Sequence, residues 1–213
     1  MDTEDEKIQD KELPWPKKGD TLFSKGQDDI NTTACFFSTS GTLYSTGYKR
    51  ASDILVEHLR KHGREQDFLV YPIIFMYRQY LELQLKEIIT AGRRLEDDYS
   101  ALPIHHELGL LWKEARKHIK NRWPDSPEHD LNVVEACIKD FVKADPASTA
   151  FRYPLDKEGG RSLKDRWENL DIGKFADVMD RISSLLEGSH SGIIEHLDYK
   201  REMEREYRAD YGE

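Results

Sequence analysis

With 213 residues, a 38% hydrophobic fraction and 26 large apolar or aromatic anchors of the Trp, Tyr, Phe and Met types, the chain suits one domain with tails and excludes wholesale disorder. A charged fraction of 34% fits long amphipathic helices with solvated outer faces. The net charge of −9 sits at the ends: residues 1–12 hold six acids and two bases, net −4, and residues 195–213 hold seven acids and four bases, net −3. The body between is near neutral and shows no broad phosphate-binding surface, which argues against non-specific nucleic-acid binding and leaves room only for a local RNA or nucleotide site.

In chain order, residues 1–20 read as a flexible arm punctuated by Pro14, Pro16 and Gly19. Residues 30–48 carry no charge and are rich in Ser, Thr and Gly. "ACFF" there is a candidate short strand and the remainder a loop. A first helix is predicted from about Tyr48 to His62, with Ala51, Ile54, Leu55, His58, Leu59 and His62 on one stripe and Gly63 closing it. The second is predicted from Tyr71 to about Ala91, with Pro72 in its first turn. The third spans about His106 to Arg122. The fourth follows Ser126 and Pro127, buries Leu131, Val134, Cys137, Ile138 and Phe141, and ends at Asp145-Pro146.

Residues 147–170 read as irregular. A fifth helix is predicted over about Asp171–Glu187, and Gly188 separates it from a sixth, about Ser191–Arg208, whose charged remainder must be solvated or lie against a partner. This divides the chain into an N-terminal arm and loop region (1–46), a helical bundle (47–187) and a charged C-terminal helix (188–213). Two distant cysteines, Cys35 and Cys137, fit free thiols in a reducing compartment. No basic-then-apolar leader opens the sequence, and the apolar run Phe68–Tyr77 is ten residues, too short to span a bilayer, so the expected location is the cytoplasm, away from membranes.

Several motifs bear on chemistry. "GTLYSTGYKR" (41–50) has five residues between its glycines, and Tyr48 precedes Lys49, so the backbone cradle of a phosphate loop is misregistered and the stretch reads as a turn into the first helix. His58 and His62 have metal-sharing spacing but lie on an apolar stripe without a third ligand, and read better as a packed pair. His105 and His106, at the entry of helix three, are candidate site residues or caps. No nucleophile elbow is present, and no metal or cofactor is expected.

The central puzzle is "YPIIFMYRQYLELQLK" (71–86). Arg78, Glu82 and Lys86 form a four-residue ion ladder along a helix apolar on most of its circumference. Such rows are often solvated edges, but a helix this apolar is expected to be central, so its charges need partners, from another helix or a second subunit.

The order of "YPIIFMYRQYLELQLKEII", "HHELGLLW" and "FRYPLDKEG" resembles bacterial helical proteins of the HEPN superfamily, over roughly residues 47–187. The resemblance implies an all-α up-and-down bundle that commonly forms a homodimer. Many members are metal-independent ribonucleases, toxins or phage-defence effectors, and others have lost catalysis. In active members an Arg and a His with four to six residues between them activate a ribose 2′-hydroxyl and hold the scissile phosphate. Here positions 83–85 after Arg78 are Leu, Gln and Leu. The one Arg–His pair at fitting spacing is Arg122 and His129, interrupted by Pro124 and Pro127. A dispersed cluster of Arg78, His105, His106 and Arg152 is the alternative. Glu82, Lys86, Arg152, Tyr153 and Asp156 are further binding or structural candidates, with an Arg152–Asp156 clasp expected within "FRYPLDKEGG". Two functions follow: an RNA-directed metal-independent effector, or a catalytically silent module that binds a partner protein or nucleotide.

Overall fold

A computed structural model describes residues 15–23, 34, 41–102, 104–163 and 169–211. The chain divides into two units, Met1–Ser38 and Thr39–Glu213. In the first, the described residues include a turn in which the Lys17 amide donates to Asp20 Oδ2 at 2.7 Å, with Gly19 at φ +103°. "ACFF" lies outside the described residues apart from Ala34.

The second unit is helical: α1 (Gly41–His62), α2 (Gln66–Leu95), α3 (Leu108–Arg122), α4 (Glu128–Ala144) and α5 (Ile172–Tyr211). Among the described residues the only β pairing is an isolated bridge between Leu155 and Arg161. The all-helical class expected from periodicity is therefore observed. No helix of the described residues is long and apolar enough to cross a membrane.

The arrangement follows from α2. Ile73, Ile74, Tyr77, Tyr80, Leu81, Leu85, Ile88 and Ile89 are all buried, on several sides of its axis, so α2 cannot lie on the surface. It packs against α1, α3 and α5, while α4 leans on α3. Each fully buried aliphatic or aromatic side chain contributes roughly 1.5–3 kcal/mol, and the core built around α2 also takes in Leu111, Trp112 and Ala115 of α3 and Met179, Ile182 and Leu186 of α5. The Tyr77, Phe175 and Phe141 rings form a tilted and edge-on stack that ties α2, α5 and α4 together.

Several boundaries differ from the periodic reading: α2 runs on through Gly92 to Leu95 and α3 begins at Leu108, leaving His106 in the segment before it. Helix α1 begins at Gly41, so the uncharged residues 41–47 are its first two turns and not loop. Their hydroxyls explain it: Ser45 and Thr42 turn inward to Glu87 of α2, satisfying that carboxylate where an apolar stripe would have left it bare. The α1 stripe is also rotated, with Ser45, Ser52 and Val56 buried and Ile54 exposed. Helix α2 starts five residues earlier than expected and passes through Pro72, whose missing N–H falls only in its second turn. Helices five and six are one 40-residue α5 that runs through Gly188. The glycine that matters is Gly192: a Cβ there would lie 2.8 Å from the Trp123 ring, so its absence lets α5 settle onto the end of α3. The continuation from Arg201 to Asp210 is exposed on all sides.

Candidate functional site

Positions 75, 78, 82 and 86 are separated by three, four and four residues, so Phe75, Arg78, Glu82 and Lys86 form one stripe of α2. Three segments lie over that stripe: the stretch entering α3, the C-terminal end of α4, and the loop after it. The ion ladder is thus an internal surface. Arg78 and Glu82 are each 2% exposed. The partners come from within the same chain, which answers the choice between another helix and a second subunit for these two charges.

At the centre, Glu82 Oε1 lies 2.6 Å from His106 Nδ1 and accepts from Lys86 Nζ at 2.9 Å. Its other oxygen is 3.5 Å from Arg78 Nη1. Arg78 Nη2 donates to the His106 carbonyl at 3.2 Å, and Nε lies 3.7 Å from Asp145 Oδ2. Asp145 caps α4 and is itself buried. Its Oδ1 accepts from the amides of Thr149 at 2.7 Å and Ala150 at 3.0 Å, which folds the loop back over α2. Arg152, on that loop, is exposed; its Nε donates to the Ser148 carbonyl at 2.9 Å, and its guanidinium sits over the Phe75 and Tyr153 rings at 5.7 and 5.6 Å.

Electrostatics give each group a definite state. Burial by itself would raise the Glu82 carboxyl, but the hydrogen bonds from Lys86 and His106, with their charges, hold it below the ordinary carboxylate value. Glu82 is therefore an ionised acceptor, so the proton of the shared bond belongs to His106 Nδ1. In the neutral ring this fixes the tautomer and leaves the Nε2 lone pair for other chemistry. The His106 side chain is 69% exposed, so Nε2 is reachable while Nδ1 is anchored. Burial lowers Arg78, and Asp145 and Glu82 draw it back; the group stays a cation. Counting Arg78, Lys86 and Arg152 against Glu82 and Asp145 leaves one net positive charge here before His106 protonates, on a chain of net −9.

The other candidates separate from this centre. His105 is half-buried, and its Nδ1 has no hydrogen-bond partner among the described residues. Arg122 and His129 do not converge. Arg122 ends α3 and meets the ring nitrogens of His196 on α5, with its guanidinium 5.6 Å from the Trp123 ring, while His129 is exposed on the first turn of α4. The expected Arg152–Asp156 clasp is replaced: Arg152 holds Ser148, and Asp156 closes its own turn by accepting from the amides of Glu158 at 2.9 Å and Gly160 at 2.8 Å. The His58 and His62 rings lie 4.6 Å apart, tilted by 48°, and His58 Nε2 is 2.6 Å from Glu65. No group of three or more metal-ligating side chains occurs among the described residues.

Asp145 is the site residue that periodicity missed, because it reads as a helix end. A signal was present: an acid at a helix C-terminus opposes the macrodipole and needs a cation to be kept there, and Arg78 is that cation. His196 carried no comparable signal, being separated from Arg122 by 74 positions.

The arrangement is a carboxylate-anchored imidazole, open at Nε2, flanked by a lysine and a stacked arginine. It can accept and return a proton beside a bound anion. No family model matches this chain, no curated protein matches it, and no solved structure matches it.

Proposed function

We propose that the chain is a HEPN-like effector that cleaves RNA without a metal, with His106 as the acid–base group. The observation that carries this reading is the 2.6 Å contact between Glu82 and the Nδ1 of a His106 whose side chain is 69% exposed. In the reaction, Nε2 removes the proton of a ribose 2′-hydroxyl, and the 2′-oxygen attacks the adjacent phosphorus. The phosphorus–5′-oxygen bond breaks, giving a 2′,3′-cyclic phosphate, and the imidazolium returns its proton to the departing 5′-oxygen. Glu82 holds the ring in the productive tautomer and stabilises the imidazolium, the task of the carboxylate in other anchored-imidazole sites. Lys86, hydrogen-bonded to Glu82 beside His106, balances the charge that grows on the phosphate oxygens. Phage defence or a toxin–antitoxin system, in a cytoplasmic homodimer, is the biological setting of this proposal.

The test is cleavage of labelled RNA by the purified protein in the presence of a chelator. Cleavage with His106→Ala is expected to fall by about 10²–10⁴-fold, with helical circular dichroism unchanged. Undiminished cleavage by the variant, or none by the wild type on structured and unstructured RNA alike, removes the reading.

A second reading, a catalytically silent module that binds a partner protein or a nucleotide, is favoured by a different feature. The α5 segment Arg201–Asp210 is exposed throughout and carries alternating charges with Met203 47% exposed, a surface suited to another helix. Pull-down of one defined partner lost on truncation after Lys200, without RNA cleavage, selects it.

A further inference from the structure

The stripe of α2 that holds the dyad extends beyond the chemistry. Phe75 lies seven residues before Glu82, two helical turns or about 10 Å along the axis, on the same face. Over Phe75 sits Arg152, stacked between two aromatic rings, Phe75 beneath and Tyr153 beside it. Tyr153 is 56% exposed. Neither side chain is needed by the core, and the loop carrying them is costly to build. Ser148 adopts φ +60°, a left-handed conformation unusual for a residue with a side chain, and the buried Asp145 carboxylate is committed to two loop amides. The Tyr153 amide completes the turn by donating to the Thr149 carbonyl at 3.0 Å.

The result is a cationic and aromatic surface over Phe75, about two turns along α2 from the Glu82 that anchors His106. Arg152 spends its Nε–H on Ser148, which holds the guanidinium plane in place, and the exposed Tyr153 ring extends that surface outward. Every nucleobase has a face that stacks on such a ring, and an arginine beside it adds attraction to the base and to its phosphate. Paired bases in a duplex present edges and not faces, so a platform of this kind discriminates by strandedness.

We infer that Arg152 and Tyr153 form a stacking subsite for an unpaired nucleobase, which makes single-stranded RNA the substrate of the His106 site. The inference rests on the proposed RNA reading and extends it to substrate class. The local positive excess at Arg78, Lys86 and Arg152 draws the backbone in, and the stacked base sets which phosphate reaches His106.

The experiment uses the full chain carrying His106→Ala, so that binding is read without turnover. The probe is a fluorescein-labelled ten-nucleotide RNA of mixed sequence, alone and annealed to its complement, followed by anisotropy. The single strand is expected to bind at least tenfold more tightly than the duplex. Adding Tyr153→Ala is expected to weaken single-strand binding by about five- to hundredfold, while Tyr153→Phe stays within about twofold because the ring is kept. Equal affinity for the duplex, an unchanged affinity for Tyr153→Ala, or no binding of either probe overturns the subsite. Cleavage by the wild-type chain is measured beside it. Cleavage insensitive to Tyr153→Ala overturns the subsite and leaves the dyad standing; Tyr153-dependent binding without cleavage does the reverse.

Discussion

Two carboxylates on α2 invite comparison, because they sit five residues apart on one helix and are titrated in opposite directions. Glu82 is the more buried, with a side chain 2% exposed, against 11% for Glu87. Yet Glu82 is held below the ordinary carboxylate value, and Glu87 is pushed above it. Burial raises both. Glu82 escapes because Lys86 and His106 hydrogen-bond to it, whereas the hydrogen bonds to Glu87 among the described residues come from the hydroxyls of Ser45 at 3.0 Å and Thr42 at 3.2 Å. His190 lies 3.8 Å from Glu87, a distance that would make an ion pair if both were charged. Burial drives His190 downward as it drives Glu87 upward, so burial weakens any ion pairing between them. Depth therefore does not decide the charge of a buried carboxyl; the number and sign of its partners do. Glu82 faces the exposed imidazole, and Glu87 ties α1 to α2.

The largest effect should come from breaking the partnered side. Arg78→Ala leaves Glu82 and Asp145 buried without their shared cation, and is expected to cost about 3–5 kcal/mol in urea unfolding. A loss below about 1 kcal/mol would mean that the cluster is hydrated and that Arg78 is not its keystone. Next come the isosteric changes at neutral pH. Glu82→Gln gives up its charge-assisted bonds to Lys86 and His106 and is expected to lose about 1.5–3 kcal/mol. Glu87→Gln keeps an oxygen for Ser45 or Thr42 and gives up no charge-assisted bond to a cation, so it should change stability by less than about 1 kcal/mol in either direction. Equal losses would erase the distinction between the two sites.

The smallest and sharpest effect is in pH dependence. Glu82, with a depressed folded value, contributes stability that is full above the ordinary 4.5 and disappears as pH falls through its lower folded value. Glu87, with a raised folded value, contributes stability that is full below 4.5 and is lost as pH rises through its higher folded value. Comparing each Gln variant with the wild type by urea unfolding between about pH 3 and 7 should give difference curves of opposite slope. The deficit of Glu82→Gln should shrink towards the acid end, while Glu87→Gln should improve relative to wild type as pH rises. Parallel curves would show that both carboxyls titrate in the same sense.

Much of this was legible residue by residue. The breadth of apolar positions from Ile73 to Ile89 predicted a central α2, and they are buried in the core. The regular four-residue spacing put Arg78, Glu82 and Lys86 on one stripe, and the need to partner charges on so apolar a helix pointed to contacts beyond α2. Of the dispersed cluster, Arg78, His106 and Arg152 do gather along that stripe, the first two through the His106 carbonyl. The failures have a common cause. A hydroxyl-rich segment without charge looked like loop because its helix is stabilised from outside, by Ser45 and Thr42 reaching Glu87. Gly188 looked like a break because an interior glycine costs about 1 kcal/mol, yet α5 continues through it to dock Gly192 on Trp123. Local pattern contains neither compensation.

By itself the sequence determined the helical class, the central position of α2 and the stripe on which its charges lie, since these depend on spacing along one chain segment and on the aversion of apolar side chains to water. Only the tertiary structure decided who meets those charges: Asp145 at Arg78, His106 at Glu82 and His196 at Arg122. The reason is physical. Helical periodicity acts over a few residues, whereas the ionisation of Glu82, the tautomer of His106 and the direction of Glu87 arise from groups brought together across 24 to 103 positions by the packing of separate helices.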